Sequence, residues 1–192
     1  KVPGKDQILI TAQSSLAGVT PESLAILDFD GKVIEGEVSP TSMEIINMHL
    51  VIYKKRLQTG AVVHTHAPYI TAFACAQKEL ECSYEAMVRA GMTESVPLAG
   101  YGPRGSDESV TNIAKVMRPE GNLGAVILGN HGLLAWGPDT AGAARANNVV
   151  EESAQIAVYA ASLGGAVTIP AHMRSATVDR AASFQAAGTV RA

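Results

Sequence analysis

Residues 124–136 read Gly-Ala-Val-Ile-Leu-Gly-Asn-His-Gly-Leu-Leu-Ala-Trp. Two short apolar runs, Gly124 to Leu128 and Gly132 to Trp136, face each other across Asn130-His131. Apolar runs of this length, bounded by glycine, read as buried strands paired through a tight turn. The turn carries His131, with Gly129 and Gly132 close on either side. Glycine lets a backbone approach closely and turn sharply, so this imidazole is expected at a strand end.

Working outward, Asp139 is placed to cap a long alanine-rich helix from about Thr140 to Ser162. The polar stretch after Pro170 reads as a loose tail, 171–192. Upstream, Asp107 to Met117 has helical spacing and an acidic start, and Val96 to Tyr101 reads as extended. Glu81 to Ser95 is ambiguous. Pro68 opens a helix reaching roughly Gln77, and Ala61-Val62-Val63-His64-Thr65-His66 reads as a strand before it. Ile45, Met48, His49, Ile52 and Tyr53 recur at helical spacing after a start marked by Ser39-Pro40-Thr41-Ser42. Asp30-Gly31 turns one strand, Ala25 to Phe29, into its partner, Lys32 to Gly36. Thr20-Pro21-Glu22-Ser23 is a short helix start, and Gln7 to Thr11 is a first strand.

Strands and helices alternate, yet two strand pairs are hairpins. That combination predicts an α/β fold with helices on a mixed, largely antiparallel sheet, and excludes a purely parallel doubly wound one. The 192 residues suffice for one domain of ordinary size, 1–192. Hydrophobic residues make up 47% and charged residues 17%, which excludes a disordered chain. A net charge of −3 leaves no basic stripe for a phosphate backbone, so no nucleic-acid partner is expected. No apolar run approaches the roughly 18 residues of a membrane helix. Cys75 and Cys82, the only cysteines, are expected to be buried free thiols in a cytoplasmic protein.

The chemistry is expected at the histidines. In a strand, His64 and His66 project from one face about 6–7 Å apart, close enough for two nitrogens to share one ion. His131 supplies a third. Three protein ligands leave an open position, the arrangement of a catalytic metal. Of the remaining histidines, His49 lies on the apolar stripe of its helix and His172 in the tail. Glu44 is either a dipole-compensating acid at a helix start or a general acid/base. Ser42 is either an N-cap or an anion ligand, and Ser14 and Ser15 with Gly18 form a second hydroxyl-bearing loop.

These segments, in order from about Ile8 to Leu163, are ILITAQSSLAG, DFDGKVIEGE, SPTSMEIINMHLVIY, GAVVHTHAPY, PLAGYGPRGSDE and AVILGNHGLLAWG. Together they resemble the class II aldolase family, which includes L-fuculose-1-phosphate aldolase and L-ribulose-5-phosphate 4-epimerase. The resemblance implies a three-layer α/β/α domain whose divalent metal, zinc or else manganese or cobalt, is held by His64, His66 and His131. It implies Glu44 as the acid/base, and Ser14, Ser15, Thr41 and Ser42 as phosphate-binding residues. Tyr101 or Tyr84 would move the proton on the aldehyde-side oxygen. The implied reaction is retro-aldol cleavage of a phosphorylated ketose to dihydroxyacetone phosphate and an aldehyde. Decarboxylation of an aromatic or keto acid, with Arg104 on the carboxylate, and 4-epimerisation are alternatives on the same site. A non-catalytic scaffold is a further one, for which three metal ligands would have no use. A homotetramer with active sites at subunit interfaces is also implied. Two departures stand out. Glu44 and His49 are five positions apart, one more than the family's usual spacing. The family's N-terminal helices and its Gly-Asn-x-Ser loop have no counterpart, so an N-terminal part is expected to be missing.

Overall fold

The computed structural model describes residues 1–13, 15–117 and 124–188. Its strands form two sheets. Strands β1 (Gln7–Thr11), β2 (Leu24–Asp28) and β3 (Val33–Glu35) make an antiparallel sheet in that order. Strands β4 (Ala61–Thr65), β5 (Leu98–Ala99), β6 (Gly124–Leu128) and β7 (Gly132–Gly137) make the second, in the order β4-β7-β6-β5. Among the described residues only β5 and β6 pair in parallel. The architecture is the expected α/β one, and the sheet at its centre is mixed and mostly antiparallel.

β7 is the middle of that sheet. All six of its residues are buried, and it pairs with β4 on one side and β6 on the other. Its alternate residues feed two cores. Leu133 and Ala135, with Ala125 and Ile127 of β6, pack under helices α2 (Pro68–Cys75), α3 (Glu85–Arg89) and α5 (Thr140–Ala161). Leu134 and Trp136, with Val126 and Leu128, pack under α1 (Pro40–Lys55) and α4 (Asp107–Val116). A continuous apolar run is what a strand covered on both faces requires. The smaller sheet closes on the far side of α1, where Ile8, Ala25 and Leu27 meet Ile46, Leu50 and Tyr53.

Helix α1 begins where the sequence marks it. The Ser39 hydroxyl, not that of Ser42, caps it by accepting from the Ser42 N–H at 3.2 Å, with Pro40 in the first turn. The short helix expected near Thr20 is one 3-10 turn, Pro21–Ser23. The ambiguous stretch contributes α3, and the extended one shrinks to β5, with a bridge between Leu80 and Val96.

Two expectations are corrected. The segment read as a loose tail contains helix α6 (Ala171–Ala187). Its alanines favour helix and its polarity is that of an exposed helix, half-buried at Arg174, Thr177, Val178 and Ala181, where Val178 meets the core and Arg174 meets Glu94 at 3.5 Å. Both cysteines are free, but only Cys82 is buried; Cys75, in the last turn of α2, is exposed. Among the described residues no helix is long and apolar enough to cross a membrane.

Candidate metal centre

His64 sits on β4, opposite Leu134 of β7. Its Nδ1–H donates to the Leu133 carbonyl at 2.9 Å. That bond sets the tautomer and leaves the Nε2 lone pair free to ligate. His66 follows one residue past the end of β4, and its Nε2 lies 3.1 Å from that of His64. His131 closes the group from the loop between β6 and β7, with its ring centre 4.7 Å from that of His64 and 5.1 Å from that of His66. One nitrogen from each ring lies within 4.8 Å of the other two. Imidazoles sharing one tetrahedral ion at about 2.0–2.1 Å have nitrogens roughly 3.3 Å apart.

Glycine makes the convergence possible. A Cβ on Gly132 would collide with the Thr65 carbonyl and lie 2.9 Å from Cδ2 of the His66 ring. The loop ahead of it has three residues, Gly129 to His131, since Leu128 pairs directly with Gly132. Asn130 takes a left-handed conformation there, φ 55°, which asparagine tolerates better than most residues.

The electrostatics suit a cation. Burial pushes the pKa of His64 down to about 3, with the Leu133 hydrogen bond opposing and the neighbouring imidazoles assisting. Burial also lowers that of His131, with help from the charges of His66 and Arg104. Both are therefore neutral near pH 7, the form that binds metal. The donor set fits a divalent ion. Among the described residues the cluster holds these three histidines and no carboxylate.

His49 stays outside it, as its place on the apolar stripe suggests. Its Nε2 is buried with no hydrogen-bond partner among the described residues, and burial pushes its pKa down to about 4. Glu44 is held by Arg104, whose Nε and Nη2 both lie 2.8 Å from Oε2. The same Nη2 donates to the Thr41 carbonyl at 2.8 Å. The arginine considered for a substrate carboxylate thus grips the candidate acid/base.

Thr41 is exposed, while the buried Ser42 hydroxyl is taken up by Ser39 at 3.0 Å. Ser15 accepts from the Ala17 N–H at 3.1 Å, and Ser14 lies outside the described residues. Tyr101 is 56% exposed, and the Tyr84 hydroxyl donates to Glu152 at 3.5 Å. Sequence reasoning missed the Leu133 carbonyl that orients His64, and a backbone acceptor leaves no mark in a sequence.

Residues 1–158 match the Class II Aldolase and Adducin N-terminal domain family. The chain belongs to that family. It is 33% identical over 165 residues to an L-fuculose phosphate aldolase of Methanococcus maripaludis, covering 85% of this chain and 84% of that one. It is 35% identical over 150 residues to a 5-deoxy-D-ribulose 1-phosphate aldolase of Bacillus thuringiensis, 78% of this chain and 67% of that one. A 3-oxo-tetronate 4-phosphate decarboxylase of Haemophilus influenzae is 30% identical over 159 residues, 79% and 71% of the two chains. A solved L-fuculose 1-phosphate aldolase superposes with a TM-score of 0.78 at 27% identity, over 91% of this chain and 80% of that one. This member of the class II aldolase family is thus an enzyme of the aldolase type.

Proposed function

We propose that this class II aldolase family member cleaves a phosphorylated ketose by a retro-aldol reaction, releasing dihydroxyacetone phosphate and an aldehyde. The convergence of His64, His66 and His131 carries the reading, and the sugar-phosphate aldolases among its relatives give the substrate class. The three imidazoles would hold a divalent ion, zinc first and manganese or cobalt as chemically suited substitutes. Such an ion supplies a Lewis acid for the ketose carbonyl oxygen.

The chain's own groups do the rest. The Glu44 carboxylate moves a proton on the three-carbon fragment, held in place by Arg104. Tyr101, with its ring exposed, serves the aldehyde-side oxygen. The hydroxyls of Ser15 and Thr41 take the phosphate, with Ser14 as a third candidate. Ser42, whose hydroxyl accepts from that of Ser39 and keeps its own proton to donate, is a fourth. A cytoplasmic homotetramer completes the reading. Its support is the apolar surface on and after α5, where Tyr159 is 57%, Leu163 87% and Val167 84% exposed.

Elemental mass spectrometry of the purified protein and of His131→Ala, with a screen of ketose 1-phosphates for dihydroxyacetone phosphate release, tests this. About one zinc or manganese per chain, lost in the variant, together with triose phosphate release supports it. Absence of metal after reloading sinks it. A second reading, decarboxylation of a phosphorylated keto acid, is favoured by the Haemophilus relative. Carbon dioxide release without triose phosphate would select it.

A further inference from the structure

Among the described residues two that are not glycine have positive φ, Gln77 at 54° and Asn130 at 55°. They are bonded to each other. The Gln77 side-chain amide donates to Asn130 Oδ1 at 2.8 Å and to the Ala74 carbonyl at 2.7 Å. The Asn130 N–H donates to that same carbonyl at 3.1 Å. Left-handed backbone at residues other than glycine persists only where the surroundings enforce it, and such residues gather at functional sites. Asn130 immediately precedes His131.

Helix α2 joins the two halves of the metal centre. It starts at Pro68, two residues after His66, and stops at Cys75, two before Gln77. Its first turn is pinned by Glu151 of α5, whose carboxylate accepts from the N–H groups of Tyr69 at 3.0 Å and Ile70 at 2.9 Å. Its far end is bonded through Gln77 to the loop that bears His131. That loop is gripped from its other side too, where the Gly129 N–H donates to the Ala99 carbonyl at 2.9 Å. Room at Gly129 is tight: a Cβ there would lie 3.3 Å from the Gln77 amide nitrogen and 3.0 Å from the Ala99 carbonyl.

We propose that Gln77 is a positioning residue of the metal centre, its side-chain amide fixing the Gly129 to His131 loop so that the His131 imidazole faces His64 and His66. The inference rests on the three-histidine metal reading. Gln77 itself touches neither metal nor substrate. Partners that orient a ligand typically change metal affinity by about 10–100-fold when removed.

The test is titration of Zn2+ alone into metal-free wild type, Gln77→Gly and Gln77→Ala, with melting temperatures of the metal-free proteins. Gln77→Gly removes the amide but suits the left-handed backbone. It is expected to melt no lower than wild type and to bind Zn2+ about tenfold or more weakly. Gln77→Ala is expected to bind as weakly and to melt lower than Gln77→Gly, since alanine keeps the Cβ that the left-handed backbone disfavours. Wild-type Zn2+ affinity in Gln77→Gly overturns the inference while the metal centre stands. If wild type binds no Zn2+, the metal reading fails and the inference falls with it.

Discussion

An imidazole binds a metal through an unprotonated nitrogen, and at His64 one feature favours the neutral ring while another selects which nitrogen is left bare. Burial disfavours the charged ring, and the Leu133 carbonyl holds the proton on Nδ1. Glu44 lives differently. It is more than half exposed, accessible for proton transfer, and fixed by Arg104. If it is the acid/base, Glu44→Gln should lower kcat by about 10²- to 10⁴-fold while metal content stays that of wild type. Unchanged turnover would remove Glu44 from the mechanism. Gly132 matters for want of a side chain. A Cβ there meets the Thr65 carbonyl and the His66 ring. Gly132→Ala should therefore both lower the melting temperature and reduce bound metal, measured on the same preparation. A variant that melts lower but keeps its metal would show that His66 adapts.

At the scale of elements, the β6–β7 hairpin is the part on which both layers of helices depend. β7 contributes Leu133 to one core and Leu134 to the other, both fully buried. Leu134→Ala should cost about 2–5 kcal/mol in urea unfolding, the usual range for a buried leucine. A cost below about 1 kcal/mol would mean that α1 collapses onto the gap. The hairpin was legible because its signals are local: apolar runs on either side of a glycine-flanked turn. The start of α1 was equally legible from Ser39-Pro40. Its capping hydroxyl was assigned less well, because Ser39 and Ser42 offer the same chemistry and only the geometry of the first turn separates them. Helix α6 escaped notice because polar composition speaks to exposure and not to order. Contacts with α3, with Glu94 beyond it and with the core hold it.

For the whole molecule, buried neutral histidines make the metal-free protein acid-sensitive. Unfolded histidine titrates near pH 6.5, whereas folded His64 does so at about 3 and His49 at about 4. Below about pH 6.5 the unfolded chain takes up protons that the folded chain refuses, so stability falls as pH falls, down to about pH 4. Each histidine contributes up to about 1.4 kcal/mol per pH unit. Urea unfolding of the metal-free protein at pH 7, 6 and 5 should show the decline. His49→Asn should flatten it, and an unchanged slope would assign it elsewhere.

By itself the sequence determined the order of the strands, the helices other than α3 and α6, the two hairpins and the three histidines. Each of these is written in residues a few positions apart, through period-two or helical spacing, turn residues and strand ends. Tertiary structure alone decided the partnerships across long stretches of chain. Arg104 reaches Glu44 over 60 positions and Gln77 reaches Asn130 over 53. It also decided that Cys75 faces solvent while Cys82 is covered. Hydrogen bonds and burial of that kind depend on how helices settle on a sheet, and spacing along the chain carries no record of it.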